Sequence, residues 1–199
     1  MDLSTVLFIS LALLIAIIFY LVTSYNRLQS LRNGAEATLS QIRVAMKKRL
    51  DMVEQLVASL QSYAHFEQET LEKITRLRMG LGDAGPVGIQ KINSDSRSLF
   101  AEIKAVAESY PNLKTSETVI ATMNAIREVE DEISRHRYTY NNIIQEFNTM
   151  LDTVPSSFIG SSVGLHKQEY LNFEEDELRQ KGYLISDEIE PRLPEAKWD

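Results

Sequence analysis

The chain has 199 residues, of which 44% are hydrophobic and 25% charged, with eight Gly, five Pro and no Cys. Without Cys there is no disulfide and no thiolate metal site, and the scarcity of Gly and Pro beside recurrent Ala, Leu, Glu, Lys, Gln and Ile favours helices. Residues 169–199 hold ten acidic and four basic side chains, so most of the net charge of -7 lies there, whereas residues 24–167 carry 17 of each sign; neither part has the basic excess of a nucleic-acid binder.

Residues 3–26 contain no charge, and TVLFISLALLIAIIFYLV (5–22) is apolar almost without interruption. About 20 such residues cross a bilayer core of ~30 Å, with Tyr20 and Tyr25 placed for the interface. A cleaved signal peptide and a buried core helix are the competing readings. The basic n-region and small-residue cleavage site of a signal peptide are both missing. Residues 1–23 therefore read as a single transmembrane anchor. Only Met1 and Asp2 precede it, whereas Arg27, Arg32, Arg43 and the KKR of 47–49 follow. The positive-inside rule then puts the N-terminus outside and the body in the cytoplasm, at the inner (plasma) membrane or one derived from it.

Residues 24–164 read as a helical bundle. From 24 to about 79 only Gly34 interrupts the pattern, with Leu28, Leu31, Ala35, Leu39, Ile42, Met46, Leu50, Val53, Val57, Leu60 and Ala64 on one face. Their steps average about 3.6 residues, as in a nearly straight helix, so the membrane helix is expected to run directly into this one, with room for a kink at 62–66. GLGDAGPVG (80–88) ends it. Pro86 can start a second helix with Ile89, Ile92, Leu99, Ile103 and Val106 inward. SYPNLKTSE (109–117) is another break, after which Thr115 or Ser116 can cap a helix that has Glu117 in its first turn. That helix places Val119, Met123, Ile126, Glu130, Ile133, Arg137, Tyr140, Ile144 and Phe147 in 4-3 alternation and ends before VPSSFIGSSVG (154–164). Residues 165–199 are expected to form a short amphipathic helix, around 167–181, and an acidic, Pro-containing tail. With no strand signal, the fold class is all-α: an antiparallel up-and-down bundle continuous with one N-terminal transmembrane helix.

No motif in the chain carries chemistry. Gly80, Gly82 and Gly85 spell G-x-G-x-x-G, but a helix precedes them and no strand is in reach, so they read as a helix-to-helix turn. A carboxylate di-metal bundle needs paired Glu-x-x-His motifs, and Ser62, Ile133 and Val163 stand three residues before His65, His136 and His166. No nucleophile stands with a base, and no cofactor is expected. What is left is a polar seam. Glu130 and Arg137 fall on the apolar stripe of their helix, and Asn141 and Asn148 lie beside it. Burying either charge alone is costly, so each needs a partner from a facing helix. Arg32, Asn33, Gln41, Arg49, Asp51 and Glu67 are the polar candidates, with Arg49–Glu130 and Asp51–Arg137 as charge-satisfying pairs. The seam is expected to fix which helices meet and in what register.

These segments, in this order, resemble the LemA family of single-span bacterial membrane proteins. YNRLQSLRN (25–33), SQIRVAMKKRLDMVEQLV (40–57), YAHFEQETLE (63–72), YPNLK (110–114), EVEDEISRHRYTYNNIIQEFN (128–148) and VPSSFIG (154–160) carry the likeness. Leu39, Arg43, Glu54, Phe66 and Val154 stand where the family usually has Trp, Asp, Pro, His and Phe, so this is a divergent version. The resemblance implies an antiparallel bundle on one membrane helix, with no established enzymatic activity, and some members are associated with membrane-organelle formation, as in magnetosomes.

The expectation is thus a non-enzymatic, membrane-anchored scaffold or adaptor with the lipid bilayer and other proteins as partners, including possible homo-oligomers, since tethering raises local concentration. Two alternatives stay open: a cryptic ligand or metal site using Glu67, Glu130 and Arg137, and regulation through recruitment of a basic partner by the acidic tail.

Overall fold

A computed structural model of the chain describes residues 2–60, 68–111 and 116–172. Among these, five helices and no strand occur: α1 (Leu3–Leu60), α2 (Gln68–Gly80), α3 (Pro86–Ser109), α4 (Glu117–Asp152) and α5 (Ser156–Ser162).

The apolar N-terminal segment and the first bundle helix are one helix. Its 58 residues span ~87 Å at 1.5 Å per residue, with no Pro to break them. Residues 3–23 are exposed throughout, and the first buried residue of α1 is Ser24. From there the face expected from the sequence turns inward: Leu28, Leu31, Ala35, Leu39, Ile42, Met46, Leu50, Val53, Val57 and Leu60 are all buried. Ala64 and the kink allowed at 62–66 lie outside the described residues.

Side-chain links set the direction of each later helix. Arg78 of α2 reaches back to Asp51 and Glu54 of α1, at 2.6 Å each, so α2 descends beside α1. Arg43 closes the lower end by donating from Nε and Nη2 to the Ala84 carbonyl, at 3.0 and 2.8 Å. The α3 helix rises again from Pro86, which takes a first-turn position where a missing N–H costs nothing. The α4 helix then descends the whole length of the body, with Glu130 opposite Arg49 and Glu146 opposite Arg27. Ser116 occupies its N-cap position, without a side-chain cap bond; Thr115 lies outside the described residues.

The upper body is thus an up-down-up-down bundle, and the lower body is a stem of α1 and α4. Two helices alone leave much of each apolar stripe uncovered. The stem is completed by α5 and by residues 165–172, which have no helical structure. The amphipathic helix expected around 167–181 is therefore not formed over 167–172, and its remainder lies outside the described residues. The α5 helix, in the stretch after the expected end of α4, packs Ile159 with Leu28, Leu31 and Phe147 in a small lower core.

Candidate functional site: the polar seam and an extended strap

The seam divides into two clusters. In the upper one, Arg49 is 1% exposed although it carries a guanidinium. Its Nη2 donates to Asn93 Oδ1 at 3.1 Å and to Ser96 Oγ, and its Nη1 lies 3.9 Å from Glu130 Oε1. A guanidinium with five donors can serve two helices at once, so Arg49 ties α1 to both α3 and α4. Asn93 and Ser96 were not expected from the sequence. They sit four and seven residues after Ile89 on the inward face of α3, and that spacing is the signal that could have found them.

The second expected ion pair is not made. Asp51 lies on the flank of α1 that faces α2 and joins Glu54 on Arg78. The hydrogen bond from Arg78 to Glu54, opposed by partial burial and reinforced by the Asp51 charge, holds that guanidinium still more firmly protonated than usual. Arg137 faces the opposite side and donates from Nη2 to the Asn172 carbonyl. Arg32, Asn33 and Gln41 are exposed on α1, because the stripe through Leu28, Leu31, Ala35, Leu39 and Ile42 leaves them on its outer flank. Glu67 lies outside the described residues.

The lower cluster holds residues 165–172, hereafter the strap, against α4. Asn148 Nδ2 donates to the Gln168 carbonyl at 2.9 Å while its Oδ1 accepts from the Gln168 N–H, also at 2.9 Å. Asn141 does the same with Leu171, at 2.8 Å both ways. Between them Tyr140 donates its hydroxyl to the Glu169 carbonyl at 3.1 Å, and Gln90 of α3 donates to the Tyr170 carbonyl at 3.2 Å. Burial, and to a smaller degree the Glu169 charge, raises the Tyr140 phenol above its ordinary pKa.

The periods of helix and extended chain explain the spacing. Seven residues of α4 advance ~10.5 Å, and three residues of extended chain advance ~10 Å. Asn141 and Asn148 thus stand opposite Leu171 and Gln168, and the strap runs antiparallel to α4. A carboxamide carries a donor and an acceptor side by side, as a peptide unit does. Each Asn therefore satisfies both polar groups of one strap residue, which would otherwise be left partly buried without partners. The Leu171 side chain, 1% exposed, is the anchor and enters the main core.

This geometry is structural in kind. The hydrogen bonds that Arg137, Tyr140, Asn141 and Asn148 make with residues 168–172 all go to main chain, and Arg49 contacts Asn93, Ser96 and Glu130. Among the described residues no group of three His, Asp or Glu is placed to share a metal ion. The G-x-G-x-x-G segment is the α2–α3 turn, held by Arg43.

The family model of the LemA family matches residues 38–182, which takes in both clusters and the strap. The chain belongs to the LemA family. Protein LemA of Metamycoplasma hominis is 29% identical over 150 residues, covering 74% of this chain and 68% of the relative. Two magnetosome proteins are more distant. MamQ of Magnetospirillum gryphiswaldense is 22% identical over 191 residues, with 82% of this chain and 70% of the relative covered, and MamQ 2 of Paramagnetospirillum magneticum is 23% identical over 189 residues, with 81% and 70% covered. A LemA-family bundle behind one long apolar N-terminal helix describes a membrane-associated helical protein.

Proposed function

We propose that this LemA-family protein is a non-enzymatic scaffold, anchored by one membrane span at residues 3–22, whose cytoplasmic bundle assembles laterally with partner proteins or with further copies of itself. The observation that carries the reading is the exposure of the apolar half of α1. None of its most apolar 18-residue window is buried within the protein, so the surface area needing removal from water has to be covered by lipid. The same helix continues without a break into the bundle core, which makes the body a rigid post on the membrane rather than a domain on a flexible leash. The Arg27, Arg32 and Arg43 flank favours a cytoplasmic body. Within the body, the seam residues act as register marks: Arg49 and Glu130 align α1, α3 and α4, and the two Asn side chains align the strap. Similarity to proteins named as magnetosome proteins supports a role in membrane assemblies.

The test is crosslinking in intact native membranes combined with labelling of single introduced Cys residues from either side. Adducts that contain a second copy or a reproducible partner, with a body site such as Gly82 labelled only from the cytoplasmic face, are the expected result. Monomers alone, or labelling of Gly82 from outside, would overturn the scaffold or the orientation respectively.

A further inference from the structure

Residues 147–166, FNTMLDTVPSSFIGSSVGLH, contain one formal charge, Asp152, and its carboxylate is paired with Lys167 at 2.8 Å. A quarter of the whole chain is charged, so a twenty-residue stretch this neutral at the surface calls for an explanation. It forms the corner between the end of α4 and α5. On its outside, Val154 is 73% exposed, Phe158 67% and Val163 46%, while Ile159 and Ser156 face inward.

The fold places this corner beside the exposed apolar part of α1. Arg27 Nε donates to Glu146 Oε1 at 2.9 Å, which levels those two residues on antiparallel helices. The six residues from Glu146 to Asp152 carry α4 ~9 Å further toward the N-terminal half of α1, to about the height of Leu21. The burial pattern agrees: residues 3–23 of α1 are bare and Ser24 is the first to be covered, at the point where the uncharged run ends. The corner thus reaches the level at which α1 leaves the hydrocarbon.

Its polar groups suit that level. The hydroxyls of Thr153, Ser161 and Ser162 donate to the Thr149, Ser157 and Phe158 carbonyls of their own helices at 2.7–2.9 Å, and Ser156 donates to the Met150 carbonyl at 2.7 Å. None of these donors needs water. Aromatic and aliphatic side chains on a short surface helix are the usual means by which a protein dips into the headgroup and acyl boundary.

We propose that the α4–α5 corner is a second membrane contact, in which Val154 and Phe158 insert into the lipid interface beside the α1 span. This rests on the membrane-anchored reading of α1. Two contacts on one leaflet hold the bundle at a fixed rotation about α1 and leave the same faces turned to its neighbours in the membrane. An assembling protein gains from this, because lateral contacts form without first selecting among rotations.

The absence of native Cys allows a direct test. Full-length Phe158→Cys, Val154→Cys, Ile15→Cys and Gly82→Cys chains, each labelled with one environment-sensitive dye, are reconstituted into phosphatidylethanolamine–phosphatidylglycerol vesicles. Quenching is then compared between lipids brominated near the headgroup and lipids brominated deep in the acyl chain. The expected result is strong quenching of position 15 by deep bromines, quenching of positions 154 and 158 by shallow bromines, and none at 82. If position 15 is quenched and positions 154 and 158 are not, the corner is not in lipid and the proposal fails while the anchor stands. If position 15 is not quenched either, the anchor itself is wrong. A dye at 158 that is shielded from water yet unquenched, and that returns to a wet spectrum on dilution in lipid, would show a second copy on the corner and would equally overturn lipid contact. Both substituted corner residues are largely exposed, so neither variant removes core packing.

Discussion

Replacing Asn141 by Ala should release the upper end of the strap and leave the bundle folded. The substitution removes two hydrogen bonds of 2.8 Å, one to the Leu171 carbonyl and one from its N–H. A net ~1 kcal/mol for each bond gives ~2 kcal/mol at most. Because Asn141 is only half-buried, water can replace part of that, and ~1–2 kcal/mol is the expected cost to local closure. At 1.4 kcal/mol per factor of ten, the Leu171 amide should exchange with solvent ~5–30-fold faster when exchange proceeds by local opening of the strap. The assay is hydrogen exchange read by mass spectrometry or NMR on the full chain in nanodiscs. The position dependence is as informative as the size: Asn141→Ala should act mainly on Leu171 and Asn148→Ala mainly on Gln168. Asn141→Asp keeps the acceptor for the Leu171 N–H but turns an oxygen toward the Leu171 carbonyl, so it should loosen the strap more than Ala does and recover on acidification as the carboxyl gains a proton. Unchanged exchange at both Gln168 and Leu171 in the two Ala variants would refute the view that these carboxamides hold the strap.

Other outcomes follow from the same geometry. Glu130→Ala removes a carboxylate 3.9 Å from the buried Arg49 cation, and should cost ~1–3 kcal/mol in denaturant unfolding. Combining it with Arg49→Met should cost less than the sum of the single changes by ~1 kcal/mol; strict additivity would mean that the 3.9 Å pair is not coupled. Tyr140 has a raised pKa, so its proton is held more tightly in the folded state. Its contribution is complete below the ordinary phenol value of ~10 and is lost as pH rises through the higher folded value. Strap protection should therefore fall in strong alkali, and Tyr140→Phe should abolish that step while costing ~1 kcal/mol at neutral pH; an identical alkaline profile in the variant would assign the step elsewhere. Gly34 lies mid-helix, and an added Cβ would meet Ile143 at an ordinary 3.8 Å, so Gly34→Ala should raise stability by ~0.5–1 kcal/mol. At Gly160 an added Cβ would run into Leu151 Cδ2. Gly160→Ala should thus destabilise the lower stem by ~1–3 kcal/mol unless Leu151 changes rotamer, which thermal unfolding of the pair would separate.

Local patterns made most of the helices legible. The uncharged run of residues 3–26, the 3.6-residue stripe of α1 and the Gly- and Pro-containing breaks before α3 and α4 each depend on neighbours in the chain, and each is borne out. The contact between Arg49 and Glu130 is also made, at 3.9 Å: Glu130 stood on the apolar stripe of its helix, and Arg49, between Met46 and Leu50, was one of the cations on the first helix that could meet it. The pairing of Asp51 with Arg137 failed for a rotational reason. Asp51 is two residues past Arg49, which turns it ~200° around α1 toward Arg78 of α2.

Composition and periodicity alone thus determine that this is a helical protein with one long apolar N-terminal helix and with charges embedded in its core. The tertiary structure decided what Asn141 and Asn148 are for. Their partners are main-chain groups of a segment with no period of its own, 20 and 30 residues away in sequence, and a main-chain group looks the same in every residue. Side-chain spacing can show that two carboxamides face one way. Which peptide units they hold becomes visible only when the chain has folded back along α4.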